Sequence, residues 1–427
     1  PCPMRAPGES VGTYALEVAM DELAVKLNMD PLQLRLLNYA DTEEQKKKQF
    51  SSKNLKECYR RGADAIGWNK RTAQTGVKEG KYLVGYGMAT ATYPANRSAS
   101  SAKATLFADG HAEILCGTQD IGTGTYTVAT QIAADAFGLP VNKVEVKLGD
   151  SKYPRGAQSG GSQVTASVGP PIRAAALGVV DKVVKTAVAD SHSPLHGQKQ
   201  EDIIAGSGRI FLKSDTGRGE TLMAVLNRNN MGKVDAEART DVSTRTSQPR
   251  PAPAGSPEAR IEEESKTNAA VQEDEKTDRK PYAFHSFGAQ FARVLVDPDL
   301  GTVKVDKIVS VMDIGKVMNL KTATNQIMGG IIFGLGMALM ENVQYDPNNG
   351  RIVTHDLAQY LVPVHADIPE IDVQFIDRPD PYISPLGARG IGEIGITGMA
   401  AAIANAIYNA TGKRVRDLPV TPDKIFG

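Results

Sequence analysis

Cysteine is scarce in this sequence of 427 residues, which contains only Cys2, Cys58 and Cys116. The three do not stand at the short spacings typical of metal-binding cysteine pairs. They cannot supply the four thiolates that hold an iron–sulfur cluster, nor the paired framework of a disulfide-rich domain. The sequence therefore excludes both classes and fits a reducing compartment.

Long hydrophobic runs and an excess of charge of one sign are also lacking. The longest nearly uncharged stretch, "NQIMGGIIFGLGMALM" at residues 325–340, is too short and too rich in glycine to span a membrane. Lysine plus arginine number 49, as do aspartate plus glutamate, so we expect neither a nucleic-acid footprint nor a membrane-surface footprint. Hydrophobic residues make up 41% of the chain, which allows a sizeable core in about two or three domains.

The first residues, "PCPMRAPGES", lack an initiator methionine and a signal peptide. A helix is predicted almost at once after them. We therefore expect the sequence to be the interior of a longer protein.

Apolar residues at helical spacing predict a first helix over residues 10–29. Its apolar positions are Leu16, Met20, Leu23 and Leu27. Asp30 and Pro31 are typical of a helix start and predict a second, short helix. A third helix is predicted near residues 55–66.

Strand patterns begin near residue 81. Alternating apolar residues on both sides of Asp109-Gly110 predict a hairpin, and a second hairpin turns near residues 299–301. Helices are predicted at about 125–137 and 397–409. Because hairpins and helices alternate in this way, we predict an α+β fold of mixed β-sheets with helices packed on one side.

Residues 233–281 differ from the rest in composition. They contain few apolar residues and many Pro, Ser, Glu and Lys. Such a stretch cannot bury enough apolar surface to fold by itself. We predict an exposed, mobile insertion there, with no chemical role.

Four loops place glycines and small polar residues ahead of a helix. They cover residues 3–10, 117–127, 154–167 and the surroundings of Glu393. Helix N-termini and glycine backbones suit phosphate oxygens, although a plain turn explains any one loop taken alone. The 117–127 loop lacks both the Rossmann and the Walker A glycine patterns, which disfavours a nucleotide-dependent enzyme of those types. Together the loops indicate a large anionic ligand held mostly by backbone amides.

Glu393 is the one charged residue in a glycine-rich stretch, "GIGEIGITG", just before the last long helix. Its carboxylate could cap the helix start, or it could act as a base directed at a substrate. The residues by themselves leave both interpretations open.

The four loops, taken together, resemble the molybdenum hydroxylase family, the molybdopterin-binding subunits of xanthine dehydrogenase and aldehyde oxidase. The matching blocks are "MRAPGE", "GTQDIGTGTYTVATQIAADAFGLP", "GGSQVTASVGPPIRAAA", "NQIMGGIIFGLGMALMEN" and "GIGEIGITGMAAAIANAIYNATGKRVRDLPVTPDKI". They follow the family's order and cover nearly the whole chain except residues 190–281. The first two are most similar to bacterial aldehyde oxidoreductases of the periplasmic type. The resemblance implies the C-terminal part of such a subunit, with residues 1–78 as the helical tail of a first molybdopterin-binding subdomain and 79–427 as a second.

The resemblance also implies roles for individual residues. Glu393 lies where the family places the general base that takes a proton from a water-derived oxygen as it attacks an aldehyde or an electron-poor ring carbon. Arg5 matches an arginine at the edge of the active site. The implied cofactor-binding residues are Gln119, Asp120, Gly122, Thr123, Gly124, Gly161, Ser162, Gln163, Thr165 and Gln326. No side chain is implied as a metal ligand, because the pterin dithiolene holds molybdenum.

By the same resemblance the cofactor is molybdopterin with molybdenum, as the cytosine dinucleotide. Partner chains carrying [2Fe–2S] and FAD, and the missing N-terminal half of the molybdenum subunit, complete the implied complex. Aldehydes are expected as substrates ahead of N-heterocycles. We expect a cytoplasmic location, with export alongside a signal-bearing partner as the alternative. The rival interpretation is a non-catalytic fragment that binds a cofactor or assembles subunits.

The chain departs from the family at several points. Thr123 stands where many members have glutamine, so its shorter side chain reaches less far. Pro170-Pro171 interrupts the predicted start of a helix. Arg389 could be an ion-pair partner of Glu393 or a surface charge, with a structural role favoured. Gln326 could equally be a satisfied polar group of the core.

Overall fold

The computed structural model describes residues 3–240, 271–272 and 282–426. The chain forms two compact units. The first comprises Pro1–Ala95, Asp278–Ile383 and Gly387–Gly427, and the second comprises Asn96–Thr277 and Ser384–Leu386. These units do not follow the boundary between residues 78 and 79, which concerns the family's subdomains and stays a prediction.

A five-stranded mixed sheet forms the centre of the first unit. Its strands in spatial order are β16 (Glu370–Phe375), β15 (Val303–Asp313), β14 (His285–Val296), β4 (Tyr82–Pro94) and β3 (Lys78–Glu79). β14 pairs antiparallel with β4 and β15, whereas β15 and β16 run parallel. The α+β prediction with mixed sheets is confirmed.

Helices cover both faces of this sheet, so the prediction of helices on one side was wrong for the first unit. Ala89 and Ala91 of β4 pack in one apolar cluster with the helix Met399–Thr411. Tyr86 and Met88 of the same strand belong to a second cluster, with the helix Leu55–Ile66. Since neighbouring residues of a strand point to opposite faces, the two clusters lie on opposite sides of the sheet.

The helices in the described residues, in order, are α1 (Glu9–Lys26), α2 (Pro31–Leu37), α3 (Leu55–Ile66), α4 (Thr125–Phe137), α5 (Val164–Ala189), α6 (Leu222–Arg228), α7 (Leu320–Leu339), α8 (Met399–Thr411) and α9 (Pro422–Phe426). None of the helices in the described ranges is long and apolar enough to cross a membrane. The prolines at 170 and 171 do not delay the start of α5, because the helix begins at Val164 and both rings are buried inside it. Each proline removes one intrahelical hydrogen bond without ending the helix.

The apolar face predicted for α1 points outward. Leu16 is 61% exposed, Leu23 44% and Leu27 53%. The buried face instead carries Glu17 and Asp21, which form ion pairs with Arg35 and Arg414. The helix itself was correctly predicted, and its exposed leucines show that apolar spacing alone does not say which side of a helix is covered.

The second unit contains another five-stranded sheet, in the order β12 (Val271–Gln272), β11 (Lys233–Thr240), β5 (Ser100–Phe107), β6 (Ala112–Cys116) and β7 (Val144–Leu148). α5 packs on β5 and β11. A small sheet of β8 (Ile203–Gly206), β9 (Arg209–Leu212) and β10 (Gly219–Thr221) completes this unit. In the first unit, three short strands form a small sheet in the order β1 (Thr42–Glu43), β2 (Lys48–Phe50) and β13 (Tyr282–Ala283).

The first eight residues of the mobile insertion predicted at about 233–281 form a strand instead. Lys233–Thr240 is a regular strand that pairs antiparallel with β5 along its full length. Its residues Val234, Ala236 and Ala238 are buried. The sequence analysis missed this short alternating strand because it adjoins a polar stretch. Residues 241–270 and 273–281 lie outside the described residues.

Candidate functional site

Glu393 lies in the glycine-rich segment between β16 and α8 of the first unit. Its side chain is half-buried, and its Oε1 accepts a hydrogen bond from the backbone N–H of Ala6 at 3.2 Å. α8 begins only at Met399, after Gly398. The hydrogen bond from Ala6 joins the carboxylate to the loop before α1, so capping of α8 alone does not account for this contact.

Arg5 connects the Glu393 segment to α7. Its Nε donates to the carbonyl of Gly392 at 2.6 Å, and its Nη2 donates to the carbonyl of Gln326, also at 2.6 Å. Burial lowers the pKa of the Arg5 guanidinium, and attraction to the Glu393 carboxylate opposes that shift. Arginine stays protonated in proteins, so a fixed positive charge stands beside Glu393.

Ala6, which donates to Glu393, is itself held in an unusual conformation. It is fully buried and has a φ of 56°, in the left-handed region that residues with a side chain seldom adopt. Such strain persists only where the surrounding structure imposes it, and it is common at functional sites. Here it aims an amide of the "MRAPGE" loop at the carboxylate.

Gln326 lies on α7, where the helix packs tightly against the Glu393 segment. A Cβ added at Gly330 would lie 2.6 Å from the carbonyl carbon of Gly395, so only glycine permits this approach. Among the described residues, no hydrogen bond forms to the side-chain amide of Gln326. The structure therefore brings Arg5, Gln326 and Glu393 together; their roles stay a prediction.

Side chains from other elements hold the backbone of the Glu393 segment. Ser286 Oγ donates to the carbonyl of Gly390 at 2.8 Å, and Gln290 Nε2 donates to the carbonyl of Gly395 at 3.1 Å. Thr13 Oγ1 accepts the N–H of Gly398 at 3.0 Å. The sequence analysis missed these three residues. Gln290 carried a usable signal, since it is a lone amide in the apolar strand "FGAQFARVLV".

Arg389 is fully buried four residues before Glu393, and its ion pairs are with Asp313 and Asp380. The structural role favoured from the sequence therefore has a geometric basis. His285 is the first residue of β14, and burial lowers its pKa to about 4. It is neutral near pH 7, as expected of a packed, structural histidine.

The other predicted cofactor-binding residues belong to two glycine-rich loops of the second unit. In the first loop, Oδ1 of Asp120 accepts the N–H groups of Gly122 and Thr123 at 2.8 and 3.0 Å, and Oδ2 accepts that of Tyr126 at 3.2 Å. Burial raises the pKa of Asp120, but these amides outweigh it and the net shift is downward. Asp120 thus caps the start of α4 and occupies amides that were expected to face a ligand.

The two loops are joined to each other by hydrogen bonds. Gln119 Oε1 accepts the N–H of Ser159 at 3.0 Å, and Thr118 Oγ1 donates to the carbonyl of Ala157 at 2.6 Å. Gly156 is required at this junction, because a Cβ there would lie 2.6 Å from the nitrogen of Thr118. The two loops therefore lie against each other.

The second loop is shaped by two consecutive residues of positive φ, Gly161 at 70° and Ser162 at 54°. Gln163 is buried, and its amide is bonded at both ends, accepting from Ser98 Oγ at 2.6 Å and donating to the carbonyl of Gln158 at 3.2 Å. Gln163 therefore supports the loop from inside. Gly124 and Thr165 lie at the starts of α4 and α5, where backbone N–H groups are left without helical partners.

Family models describing a molybdopterin cofactor-binding domain match residues 61–369 and residues 1–39. The chain belongs to this family. It is 36% identical over 425 residues to the aldehyde oxidoreductase molybdenum-binding subunit PaoC of Escherichia coli K12, covering 99% of this chain and 52% of that protein. It is 28% identical to a putative xanthine dehydrogenase molybdenum-binding subunit of the same organism, XdhA, with the same coverage. The chain thus spans about half the length of these relatives.

Two solved structures share the fold of this chain. Quinoline 2-oxidoreductase from Pseudomonas putida 86 superposes with a TM-score of 0.80 at 21% identity, covering 99% of this chain and 52% of that one. Aldehyde oxidoreductase from Desulfovibrio gigas gives 0.73 at 23% identity, covering 99% and 41%. The family resemblance inferred from the glycine-rich loops is confirmed.

Proposed function

We propose that this chain is the molybdenum-cofactor-binding part of an oxidoreductase that hydroxylates aldehydes to carboxylic acids, or N-heterocycles, with Glu393 as general base. One observation carries the proposal. The structure unites Glu393, Arg5 and Gln326 from three distant parts of the sequence, around a carboxylate that accepts a backbone N–H from the loop before α1.

The residues present fit a large anionic cofactor. Gly122 has a positive φ and no atom within 4 Å of where a side chain would begin, so a ligand can approach the backbone closely there. Among the residues the structure describes, no group of three His, Cys, Asp or Glu could hold a metal ion. A metal at this site would therefore depend on ligands from the cofactor. When bound, the molybdenum cofactor supplies a Lewis acid that accepts electrons from the substrate carbon.

The chain's own residues handle the proton and the geometry. Glu393 accepts the backbone N–H of Ala6 at Oε1, and an ionised carboxylate is a group that can take up a proton. A general base must lie within hydrogen-bonding reach of the proton it removes. Arg5 fixes that reach, because it ties the carbonyl next to Glu393 to α7.

The finer assignments rest on the relatives. Aldehydes are proposed ahead of N-heterocycles because PaoC is an aldehyde oxidoreductase and matches at the higher identity. From the family resemblance we also propose the cytosine dinucleotide form of the cofactor, and partner chains that carry [2Fe–2S] and FAD. A segment that corresponds to the remaining half of the relatives' length would complete the substrate pocket. We propose a cytoplasmic location, with export alongside a partner as the alternative.

The deciding experiment is to purify the protein from its native host with its partners and measure molybdenum per chain by elemental mass spectrometry. We expect close to one atom per chain, together with oxidation of an aromatic aldehyde by an artificial electron acceptor. Folded protein that carries its partners but no molybdenum would overturn the proposal.

A second candidate is a non-catalytic cofactor-binding or subunit-assembly module. The observation that favours it is Asp120, whose carboxylate occupies amides that a cofactor phosphate would use. Stoichiometric pterin without turnover of any aldehyde or N-heterocycle would support this candidate.

A further inference from the structure

Three charged side chains are fully buried together beside the Glu393 segment. Arg389 forms an ion pair with Asp313 through Nη2, and its Nε lies 3.8 Å from Oδ2 of Asp380. Its Nη1 donates to the carbonyls of Ser52 at 2.8 Å and His285 at 2.5 Å. One guanidinium thus connects four separate segments of the first unit.

The two carboxylates of this cluster are held in turn. Asp313 Oδ2 accepts the backbone N–H of Asn54 at 2.7 Å, and Asp380 Oδ2 accepts Ser51 Oγ at 2.6 Å. Buried charges are tolerated only when their geometry and hydrogen bonds compensate for lost hydration. Because the guanidinium is planar and donates in fixed directions, these partners restrict the orientation of the Arg389 side chain.

Arg389 also fixes the backbone that leads to Glu393. Its own N–H donates to the carbonyl of Ile314 at 2.8 Å, and the preceding Ala388 forms a β-bridge with Gly315. Ser286 holds the next carbonyl, that of Gly390. Between Gly390 and Glu393 only Ile391 carries a side chain, and it packs against the apolar core of the first unit.

We propose that Arg389 is a positioning residue for Glu393. It acts through the backbone of 388–392 and does not touch the substrate or cofactor. The inference rests on the proposed function, since it matters for catalysis only if Glu393 is the base. It also explains why a guanidinium is buried here beside two carboxylates, where an apolar side chain would meet a lower desolvation penalty.

The test compares Arg389→Lys with Arg35→Lys in the full complex. Arg35 forms an equally buried ion pair, with Glu17, in the same unit but without contact to the Glu393 segment. Lysine keeps the charge but cannot contact all the partners of Arg389 at once. Both variants should lose thermal stability. Only Arg389→Lys should lower kcat per bound molybdenum, by about 100-fold for a displacement of the base near 1 Å, with KM unchanged.

Ser286→Ala keeps the test decisive if Arg389→Lys fails to fold. It removes only the hydroxyl that holds the Gly390 carbonyl, and we expect a smaller fall in kcat per molybdenum, again with KM unchanged. The inference would be overturned if folded Arg389→Lys kept the wild-type kcat per molybdenum, or if Arg35→Lys lowered kcat per molybdenum equally. Failure of the proposed function is a separate result, because Glu393→Gln would then retain turnover whatever Arg389 does.

Discussion

Glu393 is a charged residue in a glycine-rich segment, and it is followed by Ile394, whose side chain is buried in the core. Its position is also set by donors from elsewhere: the amide of Ala6, the guanidinium of Arg5 and the hydroxyl of Ser286. A carboxylate placed this way can keep a fixed position while the adjacent glycines let a large ligand come close. A fixed position of this kind suits the general base that we propose.

Replacing Glu393 by Gln should abolish most turnover and spare cofactor binding. The amide keeps the size of the side chain but cannot accept a proton, so kcat should fall by roughly 100-fold to 10,000-fold. Molybdenum per chain should stay at the wild-type level. Glu370→Gln, at an exposed glutamate of β16 in the same unit, serves as control and should leave kcat unchanged. Wild-type rates in Glu393→Gln would refute the assignment.

His285 predicts a dependence of stability on pH. Burial lowers its pKa from 6.5 to about 4, so between these values the unfolded chain binds a proton that the folded chain does not. Stability should therefore fall as the pH drops from about 6.5 to about 4, by about 3 kcal/mol from this group. His285→Phe keeps the ring that packs on Phe50 and should flatten this part of the curve. Parallel wild-type and variant unfolding curves from pH 7 to pH 4 would exclude the effect.

At the scale of single elements, the glycine-rich loops are held by close backbone approach as much as by hydrogen bonds. The loop after β6 passes so near the loop before α5 that Gly156 has no room for a side chain. In the same loop Gly160 has its nearest neighbour 3.7 Å from an added Cβ. The two glycines therefore differ in how much they constrain the loop.

Gly156→Ala should destabilise the second unit, and Gly160→Ala should not. The first substitution places a methyl group 2.6 Å from the nitrogen of Thr118 and 2.8 Å from Sγ of Cys116. Forcing extra volume into a packed site costs about 1–3 kcal/mol. The second should change the free energy of unfolding by less than about 0.5 kcal/mol. Chemical denaturation of both variants measures the difference, and equal stabilities would contradict the described loop packing.

The sequence predicts elements whose signal is local. The cap at Asp30, the hairpin at Asp109-Gly110 and the glycine-rich loops all depend on neighbours in the chain. The site roles of Arg5, Gln326 and Glu393 came from the family resemblance, because Arg5 stands more than 300 positions before the other two and carries no local sign of contact with them. β11 was missed since its short alternating pattern adjoins a polar stretch. The partners of Arg389 could not be predicted at all, because Asp313 and Asp380 look like ordinary loop and strand-end residues.

At the scale of the whole molecule, the outward face of α1 is the main departure from what the sequence suggests. A helix of a folded protein normally buries its apolar side. Here the buried side carries Glu17 and Asp21 in ion pairs, and Leu16 and Leu23 face outward. An apolar face of this kind marks an interaction surface or a liability to aggregate.

The double substitution Leu16→Gln with Leu23→Gln should leave the stability of this chain nearly unchanged. Both side chains are already hydrated, so the free energy of unfolding should shift by less than about 1 kcal/mol. Binding of a dye that fluoresces on apolar surfaces should fall. Val18→Gln, on the buried face of the same helix, should instead destabilise the chain. A large loss of stability in the double variant would show that the leucines are buried.

The arrangement of the two units along the chain has a consequence for how this protein is made. The second unit is nearly continuous, from Asn96 to Thr277, whereas the first needs segments from both sides of it. β4 must wait for β14 and α8, its neighbours in the core, while some 190 residues emerge from the ribosome in between. We therefore expect the second unit to fold first during synthesis. Until α8 emerges, the first helices and β4 are left with their apolar residues exposed, which is the stage at which a chaperone would be needed.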